Sequence, residues 1–136
     1  MKKEIVASDA LHRKIGPPIG PYSHGVKAEG TLLFIAGQVA WDAEGKVVGK
    51  DDIGAQYERI MENIKAILEE AGAGMDSIVK ITNYVTKRVT KSEEYSKISE
   101  VRRRYIPRDF PASALIQVEA LMDPDLLVEV EAVAVI

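Results

Sequence analysis

The clearest periodicity along the chain lies between Asp52 and Ala71. There Ile53, Tyr57, Ile60, Met61, Ile64, Ile67, Leu68 and Ala71 recur at spacings of three and four. That spacing predicts an amphipathic helix with one apolar stripe, and Gly72 supplies its stop. A second helix is predicted from Lys91 to Ile106, with Tyr95, Ile98, Val101 and Tyr105 on its apolar face. Thr90 and Glu93 read as its capping box, and Pro107 ends it. Strand patterns surround the helices. Lys3 to Ser8 reads as a short strand, and Thr31 to Val39 is almost continuously apolar, as in a central strand buried on both faces. Ser77 to Thr86 places Val79, Ile81, Asn83 and Val85 on one side. From Ala112 to Leu121 the chain alternates, with Ala114, Ile116, Val118 and Ala120 opposite Ser113, Leu115, Gln117 and Glu119. The last run, Leu126 to Ile136, is apolar except for Glu129 and Glu131, two residues apart and so on one face. Around the break Met122-Asp123-Pro124-Asp125, these two runs read as a hairpin that completes the sheet.

Residues 16–25 hold three prolines and three glycines, which fix turns and remove backbone donors, so a loop is expected there. Asp42-Ala43-Glu44-Gly45 supplies another turn. The strand–helix–strand passage from Thr31 to Thr86 implies a right-handed parallel crossover. The expected architecture is therefore a single α+β domain over residues 1–136, a mixed β-sheet with two helices packed on one face. The other face would stay bare in a monomer, with Val79, Ile81, Val85, Leu115, Leu127 and Val133 as its apolar candidates. Association through the sheets would cover it, as would long loops folding back.

Composition adds limits. The chain has 136 residues, 46% hydrophobic and 29% charged, the profile of an ordinary soluble domain with a sizeable core. No apolar run is long enough to span a bilayer, and the first residues lack the apolar region of a secretory signal. Absence of cysteine excludes disulfides, a thiol nucleophile and thiolate metal sites. The two histidines, His12 and His24, do not have the spacing of a zinc site. A cytoplasmic protein with no metal and no other cofactor is expected. The net charge of −3 conceals an uneven distribution: residues 80–108 hold nine basic side chains against three acidic ones, so that segment is +6 and the remainder −9. Such a patch suits phosphates, and nucleic acid is a minor candidate partner. Against it, Arg102, Arg103 and Arg104 are consecutive and fan out around a helix at roughly 100° each. A solvated or subunit-facing helix surface is the simpler account.

Glu129 and Glu131 bear on function, because a carboxylate in an apolar strand needs water, a donor or a partner subunit. Ser23 and His24 are adjacent in a loop without an acid partner, which is not the geometry of a nucleophilic pair.

Four stretches taken together resemble the RidA/YjgF-like family, whose members carry the names reactive-intermediate deaminase and endoribonuclease L-PSP. They are Ile19-Gly20-Pro21-Tyr22-Ser23-His24, Phe34-Ile35-Ala36-Gly37-Gln38, the helix segment from Asn63 to Gly72, and Phe110-Pro111-Ala112 with Val128-Glu129-Val130-Glu131-Ala132. Their order and spacing match over almost the whole chain. The resemblance implies a chorismate-mutase-like fold forming a homotrimer with inward-facing sheets and ligand clefts between subunits.

It also implies site residues. Tyr22 corresponds to a cleft tyrosine, Gly37 to a backbone contact with ligand, and Glu129 to the carboxylate that holds or activates the hydrolytic water, the suitable general base for imine hydrolysis. In deaminating members an arginine follows Phe-Pro-Ala and grips the substrate carboxylate; here that place is Ser113. Two residues further, often cysteine in the family, stands Leu115. Gln38 is positioned to orient a polar ligand. Each residue has a plain structural role open to it as well. Tyr22 fills the turn after Pro21, Gly37 admits close strand packing, Gln38 satisfies backbone, and Glu129 pairs with a basic group of a neighbouring subunit. Implied functions are binding of a small polar metabolite with hydrolysis of 2-imino or 2-enamino acids, a non-catalytic ligand-sensing or interaction trimer, or an endoribonuclease using residues 80–108. Restoring the charge as Ser113→Arg is expected to gain imine hydrolysis.

Overall fold

The computed structural model describes residues 2–136. In chain order the elements are β1 (Lys2–Val6), α1 (Asp9–Ile15), β2 (Gly25–Glu29), β3 (Leu32–Gln38), α2 (Ile53–Glu70), β4 (Ile78–Thr86), α3 (Ser92–Tyr105), β5 (Ala112–Val118) and β6 (Val128–Val135). β1 and β2 form their own antiparallel pair, and the main sheet runs β3-β6-β4-β5. β6 is antiparallel to both neighbours, so β3 and β4 are parallel to each other, while β5 lies parallel beside β4.

Both long helices cover one face of this sheet. Tyr57, Ile60, Met61, Ile64 and Leu68 of α2 and Ile98 and Val101 of α3 share a core with Ile81, Val85, Val128, Val130 and Ala132. The amphipathic stripe alone accounts for α2, and Asp52 caps it by accepting from the Ala55 N–H at 3.1 Å. Buried Gln56 then ties the helix to the entry of β6. It donates to the carbonyls of Gly49 and Asp125 and accepts from the Leu127 N–H.

Several expectations need correction. β5 and β6 are not a hairpin: β4 lies between them, and β6 fills the slot that the β3–α2–β4 crossover leaves open. The near-continuous apolar run at residues 31–39 is therefore an edge strand. Its Leu33 and Ile35 face the core, whereas Leu32 and Phe34 are 57% and 73% exposed. The bare face also has a different membership. Ile81, Val85 and Leu127 lie in the helix-side core, and Leu115 is level with Asn83 on that same side. A register irregularity between Ile78 and Lys80 shifts the alternation in β4. What the open face presents is Phe34, Ala36, Lys80, Thr82, Glu131 and Val133 around a shallow depression, with Tyr84 donating to Glu131 at 2.8 Å. It is a mixed surface, less apolar than the sequence suggested.

Two elements escape the periodicity argument. α1 is short and buries no residue, but Ser8 caps it, Asp9 opens it and His12, Arg13 and Lys14 close it. β2 is short and largely polar. The cap of α3 sits one residue later than expected: the Glu94 carboxylate accepts from the Lys91 N–H at 3.2 Å.

Candidate functional site

Two loops that are far apart in sequence are fastened at the start of β5. Ser23 donates its N–H to the Pro111 carbonyl at 3.0 Å and its hydroxyl to the Phe110 carbonyl at 2.6 Å. A parallel bridge between Ser23 and Ala112 extends the joint. Tyr22 is thereby held next to Ser113, as Pro21 and Pro111 restrict the flanking backbone.

Below this joint lies a buried cation. Arg102 of α3 is 4% exposed, and all five of its N–H groups have partners. Nε and Nη2 donate to the Tyr57 hydroxyl at 3.1 and 2.8 Å, Nη2 also to Asn83 Oδ1 at 2.9 Å, and Nη1 to Ser113 Oγ at 3.1 Å and the Pro21 carbonyl at 3.3 Å. Arginine only donates, which turns Asn83 Oδ1 toward it and sends Asn83 Nδ2 to Ser113 Oγ at 3.1 Å and the Ala114 carbonyl at 2.9 Å. Tyr57, already an acceptor, donates to Asn83 Oδ1 at 2.8 Å. Burial pushes the Tyr57 phenol upward, and the charge and hydrogen bonds of Arg102 pull part of that shift back. No ion pair among the described residues includes Arg102, so its charge is solvated only by neutral groups.

A cavity of about 430 Å³ opens directly above this network. Tyr22, Asn83, Arg102, Ser113 and Leu115 line it, with Ile19, Pro21, Tyr95 and Ile98 as its apolar walls. Three of the expected site residues, Tyr22, Ser113 and Leu115, are thus together. Gly37, Gln38 and Glu129 are not among them. They sit on β3 and β6, across β4 from β5. Gly37 and Glu129 do meet: a side chain at Gly37 would collide with the Glu129 carboxylate, so glycine leaves that carboxylate room against the backbone. Gln38 donates to the Ala36 carbonyl at 3.1 Å, closing the irregularity between Ile35 and Gln38.

The residues that sequence reasoning left out are Arg102, Asn83 and Tyr57. Arg102 was expected on a solvated helix face, or entering from a neighbouring subunit. Its position four residues after Ile98 on the same stripe was the available signal.

Comparison with known proteins fits this arrangement. The sequence profile described as "Endoribonuclease L-PSP" matches residues 13–136. A RutC family protein of Pyrococcus abyssi is 40% identical over 134 residues, covering 98% of both chains. The chain belongs to the RidA/YjgF-like family. Among solved structures, the conserved Rid-family protein YyfB of Yersinia pestis superposes with a TM-score of 0.85 at 33% identity, over the full length of both chains. A putative endoribonuclease of Thermotoga maritima gives 0.67 at 34% identity over 100% of this chain and 98% of its own.

Within this RidA-like chain the basic segment is largely committed elsewhere. Arg102 is buried, Arg103 lies over the Phe110 ring at 5.6 Å, Arg104 pairs with Glu58 at 3.1 Å, and Arg88 with Asp51 at 2.8 Å. Lys87 pairs with Glu119. These contacts point away from one another and form no phosphate-sized cradle. No helix among the described residues is long and apolar enough to cross a membrane.

Proposed function

We propose that this RidA-like protein assembles as a homotrimer whose clefts bind a small metabolite and hydrolyse 2-imino or 2-enamino acids to 2-oxo acids and ammonia. The observation that carries this reading is the cavity over Arg102. A buried guanidinium with no carboxylate partner, beside a concave space of about 430 Å³, suits a ligand that brings negative charge.

The protomer holds only half of such a site. Ser113 and Tyr22 stand at the β5 edge, and Glu129 with Gly37 near the opposite edge. β5 exposes Leu115 and Ile116 by 55% and 41%, and β3 exposes Phe34 by 73%. A second copy that seats its β3–β6 side against β5 would cover these groups and bring Glu129 to the cavity. In the proposed reaction water adds to the C=N carbon while Glu129 takes one of its protons. Glu129 then returns that proton to the nitrogen, which departs as ammonia while the carbonyl forms.

Freshly generated 2-aminoacrylate, or a longer imino acid, should release ammonia faster than in buffer alone. Glu129→Gln should slow that release by about 100-fold, the lower scale of general-base catalysis. Release no faster than buffer, or an unimpaired variant, removes the catalytic reading. A monomer by light scattering removes the trimer.

A further inference from the structure

Resting on the cleft just proposed, we infer that the Ser113 hydroxyl is a single-donor anion subsite, that buried Arg102 is its positioning residue, and that the ligand is a carboxylate with an aliphatic body.

Proton accounting leads there. The five guanidinium N–H groups are consumed by Tyr57, Asn83, Ser113 and the Pro21 carbonyl, so Arg102 has no fork left to offer a ligand. Tyr57 spends its proton on Asn83, and Asn83 spends its amide protons on Ser113 and the Ala114 carbonyl. Ser113 Oγ accepts two N–H bonds at 3.1 Å, one of them from a cation, and its own proton has no protein acceptor among the described residues. With both lone pairs drawn toward donors, that O–H is polarised, and the remaining direction is the cavity that Ser113 lines.

The charge supports the same conclusion. A buried cation surrounded by neutral acceptors is stabilised by an anion entering the adjoining space. Ser113 transmits the interaction as one linear donor, where an arginine at this position would present two. Because the guanidinium lies behind the serine rather than in the cavity, the space above stays open. Its walls at Ile19, Pro21, Ile98 and Leu115 suit branched hydrocarbon.

The test uses 4-methyl-2-oxopentanoate and its neutral amide as unreactive probes, with dissociation constants from calorimetry on the intact protein. Wild type should favour the acid by about tenfold, the scale of one charge-assisted hydrogen bond. Ser113→Ala should abolish the preference while binding the amide unchanged, and Ser113→Thr should restore it. Arg102→Met should lose the preference too; where that variant fails to fold, the Ser113 pair still decides. Equal binding of acid and amide by wild type, no binding of either, or a preference that survives Ser113→Ala each overturns the subsite. Turnover is not read here, so loss of imine hydrolysis with an intact acid preference sinks the catalytic reading alone.

Discussion

Arg102 Nη1 lies 3.1 Å from Ser113 Oγ, joining the third turn of α3 to the second residue of β5. The cation that the sequence lacks at residue 113 is thus supplied within the same chain, from behind the strand. Its consequences reach stability as well as recognition.

Replacing Ser113 with arginine no longer looks like a simple repair. It would set a second guanidinium against the first, and two like charges about 4 Å apart repel by about 4 kcal/mol at a protein-like dielectric. Ser113→Arg alone should therefore lower the urea midpoint and gain no imine hydrolysis. The double variant Arg102→Met/Ser113→Arg should recover stability and present its guanidinium to the cavity. A single variant as stable and more active than the double one would refute this.

Tyr57 links the charge to the helix core, accepting two bonds from Arg102 and donating one to Asn83. Tyr57→Phe should cost about 2 kcal/mol, since a buried charged donor loses its acceptor. A pH signature accompanies it. The folded phenol is held above the ordinary value of 10.0, so it stays protonated while the unfolded chain ionises. The unfolded state then binds fewer protons, and stability falls as pH rises from about 10 upward. Unfolding free energies measured between about pH 9 and 11 should show that decline in wild type and a shallower one in Tyr57→Phe. Parallel slopes in the two proteins would contradict it.

At Gly37 the neighbour in the way is the end of a flexible side chain, the Glu129 carboxylate. Gly37→Ala should move that carboxylate with a stability change within about 0.5 kcal/mol, as at other exposed positions. If Glu129 acts on water, hydrolysis should drop by about 100-fold, the cost of an ångström-scale misplacement. Full activity in Gly37→Ala together with loss in Glu129→Gln would mean that glycine has no part in aiming the base.

How much of this was legible in the sequence depends on the range of the forces involved. α2 was readable because an amphipathic stripe is a local pattern, and its Asp52 cap and Gly72 stop are local as well. α1 carries equally good caps but no buried face, so periodicity is silent about it. Strand order is settled by pairing between distant segments, which is why the apolar run ending at Gln38 was assigned to the sheet centre and the place went to β6. Motif resemblance located Tyr22, Ser113 and Leu115, which line one cavity. Arg102 was missed because charge argues for exposure, and only three-dimensional neighbours such as Asn83 and Tyr57 make a dry arginine tolerable.

The placement of β6 also bears on how the chain reaches its native form. Ile35 must find Ala132 and Ile81 must find the same residue from the other side, so the middle rung of the ladder is inserted after both crossovers exist. Such wide sequence separations raise contact order and slow the search. Until that rung is seated, β3 is an orphan with unpaired amides on both margins, open to intermolecular pairing. Refolding of this protein should accordingly be most sensitive to concentration in the interval before Val128–Val135 docks.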